Sequence, residues 1–69
     1  MSIEVFLKEG YLEALARVQL GKLYPGCQME FKREKIILDN IPDDASSDDV
    51  RLALEEGAKV QVGKIKMNY

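Results

Sequence analysis

Histidine and tryptophan are absent from this chain, cysteine occurs once, and proline occurs twice. Each shortage excludes something. Without histidine, the side chain that most often moves protons near neutral pH is missing. A Ser-His or Cys-His nucleophile pair cannot be assembled. With Cys27 alone, no disulfide can close within the chain, and a lone cysteine points to a reducing compartment. One cysteine and no histidine also leave too few soft ligands for a structural zinc site. No apolar run approaches the roughly eighteen residues a membrane span needs, so no membrane contact is expected. The start, Met1-Ser2-Ile3-Glu4, lacks the basic and apolar regions of a secretory signal, so the expected location is the cytoplasm. Neither a P-loop nor a GxGxxG fingerprint occurs. Acid–base work would rest on Glu, Asp, Lys or Tyr alone, so we expect a non-enzymatic chain without cofactor or metal.

What is present describes a globular protein. The chain has 69 residues, 46% hydrophobic and 32% charged, which is too apolar for disorder and suits a single domain over 1–69. A chain this small buries only about 60% of the surface its unfolded form exposes. Such cores rarely supply more than about 3–5 kcal/mol. With disulfide and zinc excluded, a partner subunit is the remaining common support, so a homo-oligomer is expected. Net charge is −2, which opposes bulk attraction to a phosphate backbone. The charge is unevenly spread. Seven acidic residues and only Arg51 fall between Asp39 and Glu56, a net of −6 that leaves +4 for the rest. That acidic stretch is either a recognition surface or a solvated one.

The order of hydrophobic periods carries the most information. Ile3, Val5 and Leu7 alternate with Glu4, Phe6 and Lys8, which predicts a strand over 2–8 with the Ile3 face inward. Gly10 is a candidate N-cap. Tyr11–Leu23 predicts a helix with Leu12, Leu15, Ala16, Val18 and Leu23 as its buried stripe, and Gly21 as a candidate early stop. Tyr24-Pro25-Gly26-Cys27 has the proline and glycine of a tight turn. Cys27, Met29 and Phe31 alternate as a second strand, and the charged run Lys32–Lys35 predicts a hairpin tip. Ile36-Ile37-Leu38 is apolar on both faces, as a central strand should be. Ser46 with Asp49 resembles a capping box for a helix over 47–56, and Gly57 is its expected left-handed terminator. The last strand is expected over 58–69. Val60 and Val62 share one phase and Ile65, Met67 and Tyr69 the other, so a bulge is expected at Gly63. The order β-α-β-β-α-β predicts an α+β, ferredoxin-like split βαβ fold, with a four-stranded antiparallel sheet and both helices on one face.

Candidate sites are few. Cys27 and Met29 would share a strand face and read as core side chains. Asp43, Asp44, Asp48 and Asp49 lack the spacing and central glycine of a calcium loop and read as a solvated loop and helix start. Lys32, Arg33, Lys35, Lys59, Lys64 and Lys66 could meet a nucleic acid or an acidic protein, or simply guard strand edges against aggregation. The segment from Leu38 to Arg51 resembles a strand-to-helix passage of the RNA-recognition motif. It covers a minor part of the chain, and Lys35–Asn40 holds none of the aromatics that stack on RNA in that family. The group of greatest interest is Phe6, which should lie on the sheet face no helix covers, with either Ile37 or Ile36 and Leu38 beside it; Ile37 is taken as its neighbour. The expected function is a protein–protein interaction module, an adaptor or a small inhibitor. It would work through the open sheet face or a strand edge, with Phe6 and Ile37 in contact and Lys32, Arg33, Lys35, Lys64 and Lys66 around them. The alternative is a single-stranded RNA or other nucleic-acid binder that uses the same face and the basic hairpin.

Overall fold

The computed structural model describes residues 1–68. The elements run β1 (Ser2–Leu7), α1 (Glu13–Leu23), β2 (Gln28–Phe31), β3 (Lys35–Asp39), α2 (Ser47–Leu52) and β4 (Val62–Asn68), with α2 continued by a π-helical turn over Ala53–Gly57. The strands form one sheet in the order β2-β3-β1-β4. Every neighbouring pair is antiparallel. β1 and β2 therefore run parallel with β3 between them, which is the interleaved arrangement of a ferredoxin-like α+β fold.

Register decides which residues reach the core. Ile3 faces Leu38 and Met67, and Val5 faces Ile36 and Ile65 across the sheet. Ile3, Val5, Ile36, Leu38 and Val62 are fully buried, closed over by Leu20 of α1 and by Val50 and Leu54 beyond it. Each such side chain contributes about 1.5–3 kcal/mol of burial. Both helices pack against each other on this one face, and the opposite face is uncovered.

Several local expectations hold. Gly26 has φ 84°, and the Cys27 amide donates to the Tyr24 carbonyl at 3.1 Å, closing the turn. The Lys32 amide donates to the Lys35 carbonyl at 2.8 Å, closing the hairpin. The Ser46 hydroxyl accepts from the Asp48 amide at 3.2 Å, so the cap forms one residue earlier than the pairing with Asp49 implied. The register of β1 against β4 slips between Val5 and Leu7, opposite Gly63 and Lys64. A Cβ on Gly63 would stand 3.2 Å from the Phe6 carbonyl oxygen, so the bulge sits at the glycine because backbone approaches there.

Other expectations are corrected. α1 starts at Glu13 with Leu12 as an uncapped N-cap, and Gly10 takes no part. It runs through Gly21, whose Cα side meets the Met29 methyl, and ends at Leu23. Its buried residues are Ala16 and Leu20, one helical turn apart, so Leu12, Leu15 and Val18 are not core. A three-residue spacing drifts away from a 3.6-residue period, and the stripe at 16, 20 and 23 keeps to it. Gly57 does not take a left-handed conformation; Lys59 does, at φ 56°. Ala58–Gln61 is a connection that buries Ala58 and Val60, and β4 begins only at Val62. Tyr69, expected in phase with Met67, lies outside the described residues.

Candidate functional site

Two surfaces offer themselves. The first is the open face of the sheet. Glu4 lies opposite Ile37 on β3 and Lys66 on β4, and Phe6 lies opposite Lys35. Alternation adds Lys64 on β4, and pairing through β2 adds Glu30 opposite Ile37. Lys32 lies beside the hairpin, held by its backbone to Lys35. Phe6 and Ile37 are half-buried, while Lys32, Arg33, Lys64 and Lys66 are exposed. Arg33 stands apart at the hairpin tip, where it lines a depression with Tyr11 and Phe31.

The centre of this face is internally satisfied. The Lys35 ammonium lies 3.3 Å from one Glu4 carboxylate oxygen and 5.5 Å from the Phe6 ring centre. Asn68 donates to the other Glu4 oxygen at 3.5 Å. The Lys35 hydrogen bond, helped by Asn68 and by Lys66, holds the Glu4 carboxyl below its ordinary range against the opposing effect of desolvation. Lysine thus roofs the aromatic ring, and the apolar spot is small and charged at its border.

The second surface is the outer flank of the helical layer. Among the described residues, the large apolar side chains most open to solvent are Leu12 (67%), Val18 (50%), Leu15 (42%) and Leu52 (53%). Leu12, Leu15 and Val18 form a stripe along α1. Two charges of α1 lie to one side of it: Arg17 pairs with Glu13 at 2.9 Å and rests 4.7 Å over the Phe31 ring, while Lys22 follows Val18 by one turn in the last turn of the helix. At the start of the helix the stripe enters an open groove of about 480 Å³ lined by Tyr11, Leu12, Leu15, Ala58 and Val60. Shallow depressions of about 370 and 390 Å³ continue it on either side.

Burial raises the Cys27 thiol above its ordinary pKa, a direction that disfavours the nucleophilic thiolate. Among the described residues no three carboxylates or thiols gather as metal ligands. Tyr24 is buried, and its hydroxyl turns toward the Ser46 backbone without closing a well-formed hydrogen bond. Desolvation raises the pKa of that hydroxyl as well.

The sequence reading missed Arg51. Its guanidinium donates to the Val62 carbonyl at 3.0 Å and the Gly63 carbonyl at 2.8 Å. Glu55, one turn on, lies 3.5 Å from Arg51 and accepts from the Val62 amide at 3.3 Å. The signal was an opposite-charge pair four residues apart just before a bulged strand. Comparison with known proteins returns no match to a family model, a characterised protein or a solved structure.

Proposed function

We propose that this chain is a non-catalytic protein-binding module of the adaptor or small-inhibitor kind, acting in the cytoplasm. The observation that carries the reading is the exposure of Leu12, Leu15 and Val18, three large apolar side chains at one flank of α1, on a domain with little core to spare. Solvated helix faces are ordinarily charged, and a contiguous apolar strip with a polar border is the mark of a contact surface. Phe6 and Ile37, bordered by Lys32, Lys35, Lys64 and Lys66, supply a second and more polar contact face. The absence of histidine and the burial that raises the Cys27 pKa support a binding role over a catalytic one.

Affinity purification in parallel with wild type, Phe6→Glu and Leu15→Glu tests this. A protein, a further copy included, should be retained by wild type and lost from one variant. Equal recovery from all three would sink the reading. So would turnover in a broad hydrolase and transferase screen that disappears on changing one carboxylate or Cys27.

The nucleic-acid reading draws on one specific observation: four lysines share the open face with the half-exposed Phe6 ring. Stacking on an aromatic beside a basic track is how single strands are held. Salt-dependent anisotropy of a labelled oligonucleotide, weakened by Phe6→Ala, would favour it over protein binding.

A further inference from the structure

We propose that the free edge of β4 takes an extended acidic segment of another protein as an additional antiparallel strand. This rests on the protein-binding reading and adds a further surface, with the chemistry of the partner that fits it.

The hydrogen-bond phase of the sheet decides which backbone groups are free. The Leu7 amide donates to the Glu34 carbonyl at 2.9 Å, so the odd residues of β1 turn their backbone toward β3. The even residues turn theirs toward β4, and the Lys8 amide donates to the Gln61 carbonyl at 3.1 Å in that phase. Lys66 and Asn68, which face Glu4 and Ser2, are therefore the residues of β4 whose backbone bonds β1. Ile65 and Met67 turn their amides and carbonyls outward. β4 is an edge strand, and the clamp of Arg51 and Glu55 covers only Val62 and Gly63. Among the described residues no loop or side chain bonds the outward groups of Ile65 and Met67. Such a row is completed by the main chain of another strand.

The side chains along this edge say what that strand carries. On the open face Lys64 and Lys66 are exposed and make no ion pair among the described residues. The same holds for Lys8, which lies beside Gly63 at the bulge. Glu4, opposite Lys66, is already bonded by Lys35 and Asn68. Asp39 stands two strands away on β3, and Glu9 lies past the clamp with Lys59 and Gln61. The open-face side of the edge is therefore cationic. On the other side Ile65 and Met67 are half-buried against the core. Asp48, exposed and three residues before Arg51, shares that flank of α2 and disfavours acidic residues there. The matching strand thus alternates, with acidic residues opposite Lys64 and Lys66 and apolar ones opposite Ile65 and Met67. Opposite charges facing each other on neighbouring strands attract. A second β4 does not meet this pattern: paired antiparallel about Ile65 or Lys66, it sets lysine opposite lysine.

NMR titration of the whole isotope-labelled chain with the capped peptide Glu-Val-Glu-Val-Glu-Val tests the proposal. The Ile65 and Met67 amides should shift on binding and exchange with solvent more slowly. A Lys-Val repeat of the same length should bind on the order of tenfold more weakly. Lys64→Glu combined with Lys66→Glu should weaken the acidic peptide on the order of tenfold, with circular dichroism confirming that these exposed changes leave the fold intact. In an antiparallel pair the valines aim their amides at β4, so N-methylating the valines should abolish binding and N-methylating the glutamates should leave it. Equal binding of the valine-methylated and unmodified peptides overturns edge pairing. Equal binding of the acidic and basic peptides overturns the acidic partner. Tighter binding of a single-stranded oligonucleotide to the same lysines overturns it in favour of a nucleic acid. Shifts of the β4 amides with protein concentration alone overturn it in favour of a second copy. No binding at millimolar peptide overturns this surface, while the protein-binding reading keeps its separate test in Phe6→Glu and Leu15→Glu.

Discussion

The two edges of the sheet meet the same difficulty in different ways. An edge strand leaves backbone donors and acceptors unpaired, and something must cover or satisfy them. At the β2 edge the cover comes from the α1 side. The Tyr11 hydroxyl donates to the Lys32 carbonyl at 2.6 Å, and Arg17 lies over the Phe31 ring. At the β4 edge it comes from α2. Arg51 forks onto the carbonyls of Val62 and Gly63 while Glu55 accepts from the Val62 amide just before them. One edge is guarded by an aromatic pair and a single neutral donor, the other by a charged clamp on a bulge. A planar guanidinium has parallel donors that fit two neighbouring carbonyls, whereas a hydroxyl has one. The β4 edge should therefore resist opening more strongly at its clamped end, and the β2 edge should depend on packing.

Arg51→Ala should test this contrast most sharply. It removes charge-assisted hydrogen bonds to two carbonyls, and the side chain is partly solvated, so a loss of about 2 kcal/mol is expected in urea unfolding. Arg51→Lys should recover little, because an ammonium cannot fork. Gly63→Ala strikes the same clamp from the strand side. The new methyl would press on the Phe6 carbonyl, and a cost of about 1 kcal/mol is expected from the same measurement. Tyr11→Phe deletes the single donor at the β2 edge and should cost about 0.5–1 kcal/mol. If it cost as much as Arg51→Ala, the contrast between the edges would fail. The smallest effect concerns Glu4, which ties β1 to β3 through Lys35 and to β4 through Asn68. Its pKa is lowered on folding. The stability it contributes is therefore present above its unfolded pKa of about 4.3 and is lost as pH falls through the lower folded value. Across that range Glu4→Gln should flatten the fall of unfolding midpoint with pH; an unchanged slope would show that Lys35 does not hold the carboxylate in solution.

Where one physical signal had one solution, the fold was legible in the sequence. Alternation in β1 allowed a single inward face, Pro25-Gly26 allowed a single turn, and the phase slip around Gly63 required an extra residue in the strand. α1 was not legible in the same way. Leu12, Leu15 and Val18 compete with Ala16, Leu20 and Leu23 for the inward side, and composition favours neither stripe. Only the approach of the sheet and α2 decides, and it leaves the first set in solvent. The start of β4 was misjudged because Ala58 and Val60 are buried without being in a strand. Phe6 could be assigned to the open face from alternation alone, whereas Ile36-Ile37-Leu38 is apolar on both faces and only its register with β1 places Ile37 there. The Lys35 roof over Phe6 could not, since it depends on register between β1 and β3. Arg51 was hidden for a similar reason: an arginine on a short helix declares its partner only once the carbonyls of the bulge are known to face it.

The π-helical turn at Ala53–Gly57 and the bulge at Gly63 can also be considered as a matter of chain length. A π turn takes one more residue per hydrogen-bonded ring than an α turn, and a bulge takes one more residue than the strand opposite. The two surpluses lie close together in sequence and are bolted to each other through Arg51 and Glu55. They therefore behave as a matched set of insertions. Losing either residue alone would rotate one element out of phase with the clamp, whereas losing both would return helix and strand to regular periods together. In this fold, single-residue gains and losses in the second βα unit should be tolerated in pairs.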